Sequence, residues 1–172
     1  PSEFERVNET LVPKRWSLFS LGDVIELAYG KALKAESRMQ GNVPVYGSNG
    51  QVGWHDVKLV DGPGIVVGRK GNPGIITWCG SCFFPIDTTF YVVPRKVTSS
   101  MHYLFYALER QNLSDLGADS AVPGLNRNLA YMSQIIVPPA PLVQQFDLQS
   151  SVLRKKIQTN EYESRTLAGL RD

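Results

Sequence analysis

The chain has 172 residues, of which 42% are hydrophobic and 20% charged, a composition that indicates a folded globular protein and excludes a disordered one. Its net charge of +2 is far below the excess of Lys and Arg in strong non-specific nucleic-acid binders, so any such contact must use locally focused charge. Two cysteines and two histidines are too few for a disulfide scaffold or a His/Cys metal cage. No apolar run approaches the roughly 20 residues that span a bilayer, and no signal peptide opens the chain. We therefore expect a cytoplasmic protein without a membrane segment.

The first 28 residues predict a linker, a short strand and a helix. Residues 1–15, charged and containing Pro, are interpreted as a linker, and Trp16 begins a short stretch typical of a strand. Ser20 is a residue type that caps helices, and Asp23 is favourably placed in a first helical turn. This pattern predicts a helix over Leu21–Ala28.

From residue 43 the chain alternates short apolar runs with Gly-rich turns, which predicts a compact mixed or antiparallel β-sheet. Asn49-Gly50 is the dipeptide that best tolerates the two positive φ angles of a type I′ turn, so a hairpin is predicted around it. Gly80-Ser81 is predicted to make a second tight turn. The predicted strands are Val43–Ser48, Gln51–Trp54, Gly64–Arg69, Ile75–Cys79, Cys82–Ile86 and Thr89–Val93.

Two helices are predicted in the last third of the chain. Met101–Asn112 carries apolar residues on one helical face. A loop over 117–128 and an apolar strand at Gln134–Val137 follow, and the strand ends at Pro138-Pro139. A helix-forming run then extends from Leu142 to Leu170. The predicted fold class is α+β, with a β-rich body followed by one long projecting C-terminal helix.

The apolar residues of the last helix follow a spacing of three and four, with polar interruptions, as in the seam of a coiled coil. At a rise of 1.5 Å per residue the helix is roughly 43 Å long, too long to pack fully on a domain of this size. We expect it to have nothing of its own to bury against and to pair with another helix, the alternative being a helix that lies back on its own domain. The residues predicted to mediate association are Phe146, Leu153, Ile157, Asn160 and Leu167.

The motifs of enzyme sites are weak in this chain. Cys79 and Cys82 form a single CxxC in a predicted hairpin, where two packed thiols are expected rather than a redox or zinc site. Asp56-Val57-Lys58 matches a short fragment of metal-dependent nucleases, but such a site needs further oxygen ligands, and Glu36 is the only nearby upstream carboxylate. No catalytic residue and no metal ligand is therefore predicted. A small magnesium-dependent nuclease using Asp56 and Lys58 remains an alternative.

Three Gly-rich loops combine amide side chains with cations, the groups that read base edges and hold phosphates. They are Tyr46–Gln51, Gly68–Asn72 and Pro123–Asn128. Glycine and Asn are also what turns require, so each loop alone is weak evidence. The residues predicted to contact DNA are Tyr46, Ser48, Asn49, Arg69, Lys70, Asn72, Asn126 and Arg127.

Five segments, in this order, resemble one target recognition domain of the specificity subunit of type I restriction–modification systems. The five are Trp16, Leu21–Val24, Val66–Gly71 continuing to Gly74, Pro123–Arg127, and Ile135–Pro139 with Gln144-Gln145. The start, from Pro1–Phe4 to Val12-Pro13, is similar to the spacer before a second, C-terminal recognition domain. The resemblance covers essentially the whole chain.

The resemblance implies a non-catalytic module that reads one half of a bipartite site in double-stranded DNA. It divides the chain into a spacer (1–15), a recognition domain (16–140) and a truncated helix (141–172). The helix is expected to dock methyltransferase subunits, and to contact a second recognition domain or a second copy of the chain. A separate motor-nuclease subunit cleaves the DNA, and S-adenosylmethionine, ATP and Mg²⁺ are expected in the partners. Besides the nuclease, a protein-binding β module with a dimerising helix remains open, favoured by the low net charge.

Overall fold

The fold was obtained as a computed structural model that describes residues 3–7, 10–116 and 124–170. In chain order its strands are β1 (Phe4–Val7), β2 (Thr10–Pro13), β3 (Ser17–Ser20), β4 (Ile25–Tyr29), β5 (Val43–Gly47), β6 (Gly50–His55), β7 (Gly64–Gly68), β8 (Ile76–Cys79), β9 (Phe84–Pro85), β10 (Thr89–Pro94) and β11 (Gln134–Val137). Its helices are α1 (Leu21–Val24), α2 (Met101–Glu109), α3 (Arg127–Met132) and α4 (Ala140–Gly169). The predicted α+β class, with antiparallel pairing and a long C-terminal helix, is confirmed.

A four-stranded antiparallel sheet in the order β4-β10-β7-β8 forms the centre of the body. The central strand β7 is buried along its whole length because both of its faces are covered: Ile65 and Val67 pack in the main core, and Val66 packs with Phe83 on the other face. Helix α2 lies on this sheet through Leu104, Phe105 and Leu108, which are buried with Phe90 in the main core. A smaller sheet in the order β6-β5-β9 and the pair β11-β3 complete the body.

The start of the chain differs from the prediction. The segment interpreted as a linker contains the antiparallel pair β1–β2, and Val12 in β2 is fully buried. Helix α1 ends at Val24 instead of Ala28, and Ser20 makes no capping hydrogen bond with its side chain. Residues 25–29 instead form the strand β4, which pairs with β10. Its side chains alternate between buried and exposed because one face of the strand lies on the core.

Two predicted turns also differ. The β5–β6 hairpin forms, but its central residues are Ser48 and Asn49, and the positive φ of 100° is at Gly50, so the turn is not type I′. No hairpin forms around Gly80-Ser81. The segment after Cys82 pairs in parallel with β5 and bridges to Val60 instead. Phe84 packs with Val43 and Val45 of β5, and Phe83 packs on Val66 and Cys79 of the central sheet.

The long helix α4 is confirmed, but it does not leave the body at its first residue. Up to Arg154 it packs on α2: Phe146 meets the ring of Tyr106 edge to face with 5.8 Å between ring centres, and the Arg154 guanidinium lies 4.3 Å from the ring centre of Phe105. The expectation that the helix has nothing of its own to bury against is therefore wrong for this half. From Lys155 to Leu170, every side chain that the structure describes is exposed.

None of the helices within residues 3–7, 10–116 and 124–170 combines the length and apolar character that a membrane crossing requires.

The junction of α2 and β11 gives a pH-dependent prediction. The hydroxyl of Tyr103 donates to the carbonyl of Ile136, and burial raises the pKa of Tyr103 to about 12. Because the unfolded side chain titrates near pH 10, the neutral hydroxyl stabilises the fold fully below about pH 10, and this contribution is lost as pH rises towards about 12. We expect Tyr103→Phe to lower the free energy of unfolding by about 1 kcal/mol at pH 8. Urea denaturation should show this difference shrinking at pH 11, and a constant difference would contradict the prediction.

Candidate nucleic-acid interface

Three strand ends of the central sheet meet at one edge of the body. In the sheet register Tyr29, the last residue of β4, lies opposite Phe90, and Gly68, the last residue of β7, lies opposite Thr89. The loop that follows β7 therefore leaves from this edge, beside the exposed ring of Tyr29.

The segment before α3 lies against this loop. Lys70 forms an isolated bridge with Gly124, and the amide of Leu125 donates to the carbonyl of Arg69 over 2.8 Å. Helix α3 then begins at Arg127, inside the stretch that was predicted to be a loop. Residues 117–123 of that predicted loop, including Pro123, lie outside the described residues.

The β5–β6 turn closes the surface on the other side of the loop. The side-chain amide of Asn72 donates to the side-chain oxygen of Asn49. A Cβ placed on Gly71 would lie 3.6 Å from the hydroxyl of Ser48. The three loops predicted to contact DNA therefore form one continuous surface, although they are up to about 80 residues apart in the sequence.

The cations of this surface share an aromatic residue that sequence reasoning missed. The guanidinium carbons of Arg69 and Arg127 lie 4.9 and 4.8 Å from the ring centre of Tyr29. Such distances are those of cation–π contacts, which fix the plane of the guanidinium. The adjacent Lys70 is exposed.

Two of the predicted DNA-contacting residues have structural roles. Asn126 caps α3, where its side-chain oxygen accepts from the amides of Asn128 and Leu129 over 3.0 and 3.2 Å. The ring of Tyr46 packs edge to face on Phe83 and lines a groove that faces α4. The structure thus brings Ser48, Asn49, Arg69, Lys70, Asn72 and Arg127 together, and it gives Tyr46 and the side-chain oxygen of Asn126 other partners.

The charged residues of the short nuclease-like motif, Asp56 and Lys58, make ordinary surface contacts. Lys58 pairs with Asp61 over 2.6 Å, and this hydrogen bond raises the pKa of Lys58. Asp56 lies 3.1 Å from Nδ1 of His55, and Glu36 lies 4.0 Å from Nζ of Lys34. Among the described residues, no group of three or more His, Cys, Asp or Glu side chains is placed to hold a metal ion.

The two cysteines are unpaired and have a packing role. Cys79 is fully buried at the end of β8, and burial raises the pKa of its thiol. A thiol held in its protonated form is a poor nucleophile and a poor metal ligand.

The residues predicted to mediate helix association divide into two groups. Phe146 packs on α2 of its own body. Leu153, Ile157, Asn160 and Leu167 are exposed along the second half of α4, where Leu153 and Leu167 keep 61% and 67% of their surface.

Three solved structures share this fold. The type I restriction–modification S subunit from M. genitalium aligns over 84% of this chain and 40% of its own, with a TM-score of 0.72 and 15% identity. The HsdS subunit from Thermoanaerobacter tengcongensis aligns over 91% of this chain and 41% of its own, with a TM-score of 0.60 and 14% identity. A structure reported on complex assembly and conformational transition of the type I R-M system gives a TM-score of 0.62 at 12% identity, over 86% of this chain and 40% of its own.

At identities this low, the likeness to the three structures shows only that the fold is shared. The chain spans about 40% of the length of each of them. Among curated proteins, none matches the chain. A family model described as the type I restriction modification DNA specificity domain matches residues 13–167. Because this match covers most of the chain, the chain belongs to the family of type I restriction modification DNA specificity domains.

Proposed function

We propose that this chain is a sequence-specific recognition module that reads one half of a bipartite site in double-stranded DNA. The observation that carries the proposal is the single surface formed by the β5–β6 turn, the loop after β7 and the start of α3. On it, Arg69, Lys70 and Arg127 supply positive charge, and Asn49 and Asn72 supply amide donors and acceptors. Cations of this kind hold phosphates, and side-chain amides read base edges.

With a net charge of only +2, the proposal depends on cations that are gathered on this surface. Among the residues that the structure describes, no ion pair joins the side chain of Arg69, Lys70 or Arg127 to a carboxylate. The surface cations elsewhere include Lys34 and Lys58, which are paired with acidic neighbours. The unneutralised charge at the recognition surface is therefore available to an anionic ligand.

We further propose that α4 attaches the module to its partners, which are methyltransferase subunits and a second recognition domain or a second copy of the chain. An apolar groove of about 670 Å³ lies beside the first turns of α4, lined by Trp16, Tyr106 and Phe146 among others, and the exposed half of the helix continues from it. In this proposal the chain itself catalyses nothing. S-adenosylmethionine, ATP and Mg²⁺ act in the methyltransferase and motor-nuclease subunits, and the assembly works in the cytoplasm.

Replacing Arg69 and Lys70 with Ala tests the DNA-binding surface. We expect the double variant to bind duplex DNA about 10-fold or more weakly, and the plot of log affinity against log salt to lose about two units of slope, because each phosphate contact contributes about 0.9. Fluorescence anisotropy of a labelled duplex over a range of KCl concentrations measures both quantities.

The matched control is Arg95→Ala with Lys96→Ala, the same Arg-Lys dipeptide at the opposite end of β10, where both side chains are exposed. Unchanged affinity in the Arg69/Lys70 variant, or an equal loss in the control, would remove this loop from the interface. DNA-indifferent behaviour of the unmodified chain would favour the protein-binding module. Magnesium-dependent cleavage of DNA that Asp56→Ala abolishes would favour the nuclease.

A further inference from the structure

Two arginines from distant parts of the chain converge on one tyrosine ring. The Cζ atom of Arg69 lies 4.9 Å from the ring centre of Tyr29, and the Cζ atom of Arg127 lies 4.8 Å from the same point. The two guanidinium carbons are therefore at most roughly 10 Å apart. Half of the Tyr29 surface is exposed, so the cluster opens to solvent.

The guanidinium of each arginine also donates a hydrogen bond to a backbone carbonyl. Nη1 of Arg69 donates to the carbonyl of Asp87 over 2.7 Å, and Nη1 of Arg127 donates to the carbonyl of Leu27 over 3.5 Å. A guanidinium has five N–H donors, so most of them remain for a ligand. Within the described chain neither group is paired with a carboxylate. Two neighbouring cations repel each other, and an anion placed between them would relieve that repulsion.

The arrangement matches a phosphate better than a base. The fork of a guanidinium fits two phosphate oxygens, and two forks near one point suit a charged group that has several acceptors. A base edge is neutral, and reading a guanine takes a single arginine. The nearby pair Asn49–Asn72, whose amides are joined by a hydrogen bond, offers both donors and acceptors as base reading requires.

We propose that Arg69, Arg127 and Tyr29 form a preassembled clamp for a phosphodiester of the DNA backbone. The two guanidiniums bind phosphate oxygens, and the Tyr29 ring is a positioning group that holds both guanidiniums in orientation. The clamp fixes the module on the duplex without reading the sequence. This inference rests on the proposed recognition of DNA and adds to it a division of labour between the clamp and the asparagine pair.

The test compares affinity with sequence discrimination for two duplexes, one selected from a random library by the unmodified chain and one of scrambled sequence. We expect Arg69→Ala and Arg127→Ala each to weaken binding about tenfold on both duplexes and to lower the salt slope by about one. The ratio of the two dissociation constants should stay the same. Asn49→Ala with Asn72→Ala should reduce that ratio and leave the slope unchanged.

Tyr29 is tested by a pair of substitutions with thermal unfolding as a check on the fold. Tyr29→Ala should reproduce the loss of affinity seen in the arginine variants, whereas Tyr29→Phe, which keeps the ring, should retain binding and slope. Arg95→Ala is the single-charge control.

The outcomes separate this inference from the proposed function. Arginine variants that change the discrimination ratio with an unchanged salt slope would be base readers, and the clamp would be overturned while DNA recognition stands. Unchanged affinity in both arginine variants would also overturn it. Failure of the unmodified chain to bind any duplex would overturn the proposed function and the clamp together.

Discussion

Gly74→Ala is expected to lower the free energy of unfolding by about 3 kcal/mol, the largest effect of any single small substitution in the loop after β7. Gly74 is buried with a φ of +80°, a conformation that residues with a Cβ adopt only at a cost. Its added Cβ would also overlap the backbone of Leu113 and Ser114, where the chain forms a short 3₁₀ turn. Backbone cannot rotate away as a side chain can, so the strain adds to the cost of the positive φ.

The matched control for this prediction is Gly71→Ala in the same loop. Gly71 has the same φ of +80°, but a Cβ there meets only the hydroxyl of Ser48, at 3.6 Å. We expect it to lose about 1 kcal/mol, the cost of the backbone conformation alone. In a protein of this size the difference of about 2 kcal/mol between the variants corresponds to a shift of about 4–8 °C in Tm. Equal melting temperatures would show that the 3₁₀ turn yields to the added methyl group.

The strands could be predicted from the sequence wherever burial alone determined them. The run at 64–68 is apolar without interruption, since the strand is paired on both edges and covered on both faces, and its prediction is confirmed. The helix predicted over Met101–Asn112 forms over Met101–Glu109 for a similar reason: its buried residues Leu104, Phe105 and Leu108 repeat at helical spacing.

Local signals failed where a distant partner competed with them. Ser20 and Asp23 favour a helix, but residues 25–29 gain five paired positions with β10, which lies more than 60 residues away in the chain. Tertiary pairing outweighs the few tenths of a kcal/mol per residue that helix propensity contributes. The hairpin predicted at Gly80-Ser81 failed in the same way, since the following strand pairs with β5.

The sequence predicted which loops form the candidate site, but it did not predict how these loops and Tyr29 come together. Gly, Asn and Arg in three turns indicated the surface, because those residue types serve both turns and nucleic-acid contacts. The position of Tyr29 between Arg69 and Arg127 had no sequence signal, since the three residues are 40 and 58 positions apart in the chain. Only the register of β4 against β10 brings the ring to the edge where β7 ends.

Replacing Leu153 and Ile157 with Asp is expected to abolish association through α4. Both side chains are exposed in the isolated chain, at 61% and 45%, so the folded body should keep its stability within about 0.5 kcal/mol. In a symmetric helix pair, burial of the surface that these residues still expose in both copies contributes about 5 kcal/mol, a factor of several thousand in the association constant. Buried carboxylates would add a further penalty. Size-exclusion chromatography with light scattering should find the unmodified chain in a larger species and the variant as a monomer.

Leu148→Asp with Val152→Asp is the matched control, because it places the same two charges four residues apart on another face of the same helix. Leu148 and Val152 are exposed at 71% and 68%, against 61% and 45% for Leu153 and Ile157, so the control removes no less exposed apolar surface. One stripe of α4 contains Phe146, which packs on α2, and the buried Ser150. Helical spacing continues this stripe through residues 153, 157, 160 and 167, whereas residues 148 and 152 lie on the opposite side of the helix. If both double variants dissociate the complex equally, the interface is a general apolar surface rather than this seam. If neither does, association does not use the exposed half of α4.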